Sequence, residues 1–358
     1  QETGLSLPPI RLRAQALADV LDGMSISIED DELIIGLQAS RPRAAPMFPE
    51  YSWEWVLDEL NSFDKRDADR FAVSEETRTI LKDILGHWRS LSIKDRALSL
   101  LPEKVMQAQN ALVFILTGMG CGIGHLAPNY EKVLERGQLS IRQEAESRLE
   151  ALDSTNPQFI HSSHFYQAAI VVCDAVCRFA ERYGSLARKL AMRESNPYRA
   201  SELNEIARIC KKVPARPATS FQEAIQSFWF VHLIVQIESN GHSISPGRFD
   251  QYMYKFYKAD IEKGTLNEGR GLELLECLWI KMNEIMKVRD KLASKAFGGY
   301  PLFQNLIVGG HTPAGQDAKN ALSYICIEAT RRVKLPQPSL SVRVHNGSPT
   351  DFLRTAGE

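Results

Sequence analysis

The sequence predicts an α/β fold in which many helices surround a small set of parallel strands. Three observations carry that prediction. Most of the 358 residues repeat apolar side chains at helical spacing. Leu306 to Val308 is a short, wholly apolar run closed by Gly309 and Gly310, as expected of a strand covered on both faces. Leu340, Val342 and Val344 then alternate with Ser341, Arg343 and His345, and with the helical stretch 317–333 between them the order is strand, helix, strand, the spacing of a parallel βαβ unit.

From the start of the chain, Pro8 and Pro9 open a helix that Gly23 ends, and 32–37 reads as a short apolar strand. The stretch 41–50, with Pro42, Pro46 and Pro49, is expected to be an ordered extended connection, because helix is disfavoured before each proline. Residues 53–116 are helical in pattern, with breaks at 64–73, at 91–94 and near Pro102. Glu75 and Glu76 stand where a helix dipole favours acids. The glycine-rich run from Gly118 to His125 has neither a Walker lysine after it nor a clear strand before it. Close backbone packing that places His125 at the loop end is therefore expected in place of a phosphate cradle. A helix opens over 128–136, and 160–194 forms one long helix or two. His161 and His164 at its start have no carboxylate motif beside them, so solvent exposure or capping is expected and not a metal. Pro197 and the segment 214–217 read as linkers.

Phe221 to Ile237 is nearly continuous apolar sequence, too apolar all round for a surface helix and too short for a membrane span. Ser220 is its expected cap, with Glu223 closing a capping box and Gly241 taking the left-handed conformation at its end. The polar loop that follows, 238–250, thus leaves the interior. Buried polar groups need partners, so His242, Ser243, Ser245 and Asp250 mark a candidate binding site. Further on, an aromatic-rich helix spans 248–261 with its rings in the core, and a second spans 268–288. Ser348, Pro349 and Asp351 announce a last helix close to Glu358. With Gln1 in place of Met, this predicts a piece of a longer protein.

A net charge of −1 leaves no electrostatic footprint for nucleic acid or an anionic membrane, and no transmembrane segment is read, so small molecules are the expected ligands. The six cysteines lack paired spacing or a zinc pattern and read as reduced, buried thiols of a cytoplasmic protein.

Four stretches carry a resemblance: Gly124-His125-Leu126-Ala127-Pro128-Asn129-Tyr130-Glu131-Lys132-Val133-Leu134, Glu238-Ser239-Asn240-Gly241-His242-Ser243, Gly247-Arg248-Phe249-Asp250-Gln251-Tyr252, and Phe303-Gln304-Asn305-Leu306-Ile307-Val308-Gly309-Gly310. In this order, with 32–36 and 46–50, they resemble the glycyl radical enzymes of the pyruvate formate-lyase superfamily over almost the whole chain. The glycerol or propanediol dehydratase branch is the most similar. The resemblance implies an N-terminal part of the barrel, 1–358, with many helices around a partial half-barrel of parallel strands. It also implies a catalytic cysteine loop and a C-terminal glycyl radical that this sequence does not contain, so the piece alone is expected to be inactive. In that family the radical is installed by an S-adenosylmethionine iron–sulfur activase, and the resemblance implies a homodimer at full length. No cofactor or metal is expected on these residues themselves.

The resemblance further implies that His125, His242 and Ser243 hold a small polyol. Loss of a hydroxyl as water, after hydrogen is removed from the neighbouring carbon, requires one hydroxyl to lose a proton and the other to gain one. Histidines do either near neutral pH. Asp250 joins the substrate-binding set, with pairing to Arg248 or helix capping as its structural alternative. Two other functions remain open at this point: a related lyase or dehydratase for an amine, hydroxyproline or sulfonate, and a non-catalytic helical protein that keeps the fold.

Overall fold

The computed structural model describes residues 7–114, 116, 122–298 and 302–358. Along them run α1 (Pro9–Gly23), α2 (Glu54–Glu59), α3 (Glu75–Leu85), α4 (Ile93–Ser99), α5 (Glu103–Asn110), α6 (Tyr130–Glu150), α7 (Phe159–Ala191), α8 (Pro197–Lys212), α9 (Phe221–Ser239), α10 (Phe249–Glu262), α11 (Glu268–Glu284), α12 (Lys291–Ala296), β1 (Asn305–Gly309), α13 (Ala321–Val333), β2 (Ser339–Arg343) and α14 (Thr350–Gly357). Helix α9 is the centre. Its apolar side chains point in every direction, and α6, α7, α8, α10 and α11 all pack on it. Phe221, Phe228, Trp229, Phe230 and Leu233 are fully buried. Each such side chain stabilises the fold by roughly 1.5–3 kcal/mol. Helix α7 is one continuous helix, flanked by α1, α6 and α8. Among the described residues no helix is long and apolar enough to cross a membrane.

The βαβ expectation holds. β1 and β2 pair in parallel, with Asn305 opposite Ser339 and Gly309 opposite Arg343. On the other edge of β1, Gly247 bridges Leu306 in parallel, and Ile244 in turn bridges Leu126. Ile307 N donates to Gly247 O at 2.7 Å and Ser245 N to Leu126 O at 2.9 Å. Four stretches of chain therefore lie side by side and parallel, which is the partial half-barrel that the resemblance implies.

Several local expectations are corrected. Residues 32–37 are not a strand, because side chains of the neighbouring helices take the place of a second strand. Ile35 exchanges two hydrogen bonds with the Gln226 amide, at 3.0 and 2.8 Å. Leu37 N donates to Tyr183 Oη at 3.0 Å, and Trp229 Nε1 donates to Gly36 O at 3.1 Å. Pro197 is not in a linker but opens α8, with Asn196 as its cap. Ser220 caps α9 as expected, yet Glu223 closes no box. Its carboxylate accepts instead from Thr219 N, Lys212 and Arg208. Asn240, and not Gly241, takes the left-handed conformation after α9, at φ 48°. Helix α11 stops at Glu284, short of 288, and the last helix begins at Thr350, with the Ser348 hydroxyl accepting from His345 N.

Candidate active site

Two loops cross backbone to backbone and bring His125 and His242 together. A Cβ on Gly124 would lie 2.0 Å from His242 O, and one on Gly241 would lie 1.9 Å from Ile123 O. Only glycine permits that approach. The expectation that the glycines serve backbone packing is thus met at Gly122 and Gly124, while 118–121, Cys121 included, lies outside the described residues. At the crossing, His125 N donates to His242 O at 2.9 Å and Leu126 N to Ser243 O at 3.1 Å. From below, Ser243 N donates to Leu302 O at 2.7 Å.

The two imidazoles meet edge to face, with centroids 4.9 Å apart and planes at 78°. The His242 ring is also 6.3 Å from that of Phe303. His125 is exposed; His242 and Ser243 are half-buried. Backbone strain gathers here. His125, Asn240, Ser243 and Phe303 have φ of 55°, 48°, 57° and 54°, a region that costs a residue with a side chain on the order of 1 kcal/mol. Burial, then the neighbouring His125, Arg289 and Lys287, holds the His242 pKa below the ordinary histidine value. His242 is therefore neutral at pH 7, able to accept a proton through one nitrogen while donating through the other. Among the described residues, neither imidazole and no Ser243 hydroxyl has a hydrogen-bond partner. These three side chains can take up the hydroxyls of a small polar molecule.

Asp250 stands in the first turn of α10. It is fully buried, and its carboxylate accepts from Gly309 N at 2.8 Å, Ser323 Oγ at 2.6 Å and Gln251 Nε2 at 2.9 Å. Those bonds tie α10 to β1 and α13. Ser245 Oγ likewise accepts from Asn305 N at 3.3 Å. His161 is exposed, His164 is half-buried, and α7 has no side-chain cap. Among the described residues no group of three or more His, Cys, Asp or Glu side chains could hold a metal ion. Cys173, Cys177, Cys210 and Cys326 are buried thiols, as expected. Burial pushes Cys173 up to about 11 and Cys177 to about 12, so both stay protonated.

Sequence reasoning missed one buried histidine. His232, midway along α9, lies buried between Tyr130 and Gln304 with both ring nitrogens hydrogen-bonded. The available signal was a histidine set between large apolar residues, Phe230 and Val231 before it and Leu233 and Ile234 after it, in a helix read as buried.

Comparison with known proteins places this geometry. The family model described as pyruvate formate lyase-like matches residues 1–358. The B12-independent glycerol dehydratase of Clostridium butyricum, solved with glycerol bound, is 45% identical with a TM-score of 0.95 over 98% of this chain and 44% of its own. A Roseburia inulinivorans protein solved in a study of 1,2-propanediol dehydration is 40% identical with a TM-score of 0.96 over 98% of this chain and 44% of its own. The protein described as probable dehydratase YbiW of Escherichia coli K12 is 39% identical over 96% of this chain and 43% of its own. Other relatives are named for isethionate, hydroxyproline and sulfopropanediol, at 31–33% identity. The chain spans less than half the length of each.

Proposed function

The chain belongs to the pyruvate formate lyase-like family, whose relatives here are radical dehydratases and lyases, and on that premise we propose that it forms the substrate-binding part of a diol dehydratase. The substrate is a small vicinal diol, glycerol or 1,2-propanediol. His125 and His242 orient its hydroxyls and assist the departing one, and Ser243 supplies a hydrogen bond.

The observation that carries the reading is the pairing of two imidazoles 4.9 Å apart with unused hydrogen-bonding capacity. Dehydration of a diol needs one hydroxyl to be protonated as it leaves and the other to give up its proton. Two imidazoles in contact, one held neutral by burial, can bind both hydroxyls in one orientation and exchange those protons. When present, the family's catalytic cysteine, fed by the glycyl radical, would supply hydrogen-atom abstraction at the hydroxyl-bearing carbon that these residues hold in place. No stretch of these residues matches the family's Gly-Cys-x-Glu loop or its glycyl motif. The reading therefore assigns both, and the work of the S-adenosylmethionine activase, to the remainder of a homodimeric, cytoplasmic enzyme. Relatives with diol names are 40–45% identical, against 31–33% for those named for sulfonates or hydroxyproline, which favours the diol.

Kinetics of the activated full-length enzyme on glycerol and 1,2-propanediol test the proposal. In His125→Ala and His242→Ala, kcat is expected to fall by about 10²–10⁴-fold, the usual contribution of a positioned acid or base. Unchanged turnover in both ends the proposal. Turnover of hydroxyproline or a sulfonate in place of either diol moves it to those relatives.

A further inference from the structure

Beneath the crossing loops, Tyr130 Oη lies 2.7 Å from His232 Nδ1, and His232 Nε2 lies 2.6 Å from Gln304 Oε1. All three side chains are buried. Gln304 Nε2 donates to Met282 O at 2.9 Å, which fixes its amide, since the opposite orientation would set two oxygens against each other. The proton of His232 is therefore on Nε2, and Nδ1 accepts from the tyrosine hydroxyl. One assignment satisfies every atom in the chain. The ring of Phe228 lies nearly parallel to that of His232, at 18° and 5.5 Å, and limits its rotation.

The two ends of this relay belong to the segments that hold the paired histidines. Tyr130 is the first residue of α6, reached from His125 through Leu126, which bridges Ile244. Gln304 follows Phe303 and Leu302, and Leu302 O receives Ser243 N. It is itself tied into the sheet, with its N donating to Gln337 Oε1 at 2.8 Å and its O accepting from Ser339 N at 3.1 Å. The middle member sits on the helix that runs into the His242 loop. A phenylalanine at 232 would bury as much apolar surface but leave this spacing unspecified. A fully satisfied buried network rigidifies and fixes one arrangement.

We propose that Tyr130, His232 and Gln304 are positioning residues for the His125–His242 pair: their hydrogen bonds set the distance between the two strand entries that carry the imidazoles. The inference rests on the diol reading for its kinetic consequence and on geometry alone for its structural one. In the full-length enzyme, Tyr130→Phe removes one bond of the relay at nearly constant volume, and His232→Phe removes both. Displacing a reacting group by about 1 Å costs up to 100-fold, so kcat/KM is expected to fall about 10-fold in the first variant and more in the second, chiefly through kcat.

A readout that stability alone does not move is the NMR titration of His242. As the rings part, it is expected to move up toward the ordinary histidine value. Unchanged kcat/KM and an unchanged His242 titration in folded Tyr130→Phe overturn the inference, whatever happens to the melting temperature. If the wild-type enzyme turns over no diol, the functional reading falls, and the relay is still judged by the His242 titration. If His232→Phe does not fold, Tyr130→Phe decides.

Discussion

The His125–His242 pair and the Tyr130–His232–Gln304 relay share the same segments of chain and are built on opposite rules. Around His232 the side chains of the relay are buried and bonded, on backbone that is helical at Tyr130 and His232 and bonded to Ser339 of β2 at Gln304. At His125 and His242 the rings meet edge to face with, among the described residues, bonding capacity left over, on loops where His125, Asn240 and Ser243 are held at positive φ. Satisfied polar groups specify a frame, whereas unsatisfied ones on strained backbone stay in place only because the frame over-determines them. The difference separates a cluster that works for stability from one that stability alone would not produce.

The sharpest way to break this contrast is His125→Gly in the full-length enzyme. Glycine adopts φ 55° without penalty, so the variant is expected to lose about 10²–10⁴-fold in kcat while its folded state gains up to about 1 kcal/mol. Loss of stability together with retained turnover would place His125 in the frame. His232→Phe is expected to do the reverse to the fold. With the Tyr130 hydroxyl and Gln304 Oε1 left unpaired in the core, about 2–4 kcal/mol of stability is lost, read as a lower unfolding midpoint.

Acid sharpens the same comparison. Burial pushes His232 from 6.5 down to about 4. In that window the unfolded chain binds a proton that the folded chain refuses. Stability is therefore complete above about pH 6.5 and falls as the pH drops toward 4, by about 3 kcal/mol from this one group. His232→Phe should flatten that limb of the stability-versus-pH curve. An identical slope in wild type and variant would mean His232 is not held neutral. Asp250→Asn is the smaller test, since it loses a carboxylate that accepts from Gly309 N and Ser323. About 1–2 kcal/mol of stability is expected to go, with kcat/KM per folded molecule unchanged. A fall in kcat/KM alone would return Asp250 to the substrate.

How far the sequence discloses this arrangement follows from which residues set it. Periodicity suffices for α9, because its large apolar side chains recur on every face and must be covered all round. The βαβ unit is legible for the same reason: a closed apolar run and an alternating one say which faces are covered. The segment 32–37 is not legible, since whether an apolar run pairs with a strand or with Gln226 and Tyr183 depends on side chains some 150–190 residues away. The His125–His242 pair emerges from motifs in register, but spacing alone does not show that Gly124 and Gly241 let the two backbones touch. Asp250 looked available because a loop carboxylate at a helix start has no visible partner until α13 and β1 are folded against it. His232 was passed over because its partners, Tyr130 and Gln304, lie 102 and 72 residues away.

The finest test concerns a charge between the two clusters. Lys287 is buried, donates to Gln236 O at 2.9 Å and lies 5.3 Å from the centre of the Phe48 ring. Burial, and then the positive Arg289, push it down to about 7, so near neutral pH it is only partly protonated. Its charged form disfavours a second positive charge on His232 and on His242. Lys287→Met removes that repulsion and leaves the crossing loops, their glycines and the relay in place. The His242 titration is then expected to move up, by less than in Tyr130→Phe, because burial and the His125 ring still act on it. A titration that stays where it is in wild type would assign the lowering of His242 to burial, the paired ring and Arg289. A shift as large as that of Tyr130→Phe would mean that charge, and not the spacing set by the relay, governs the pair.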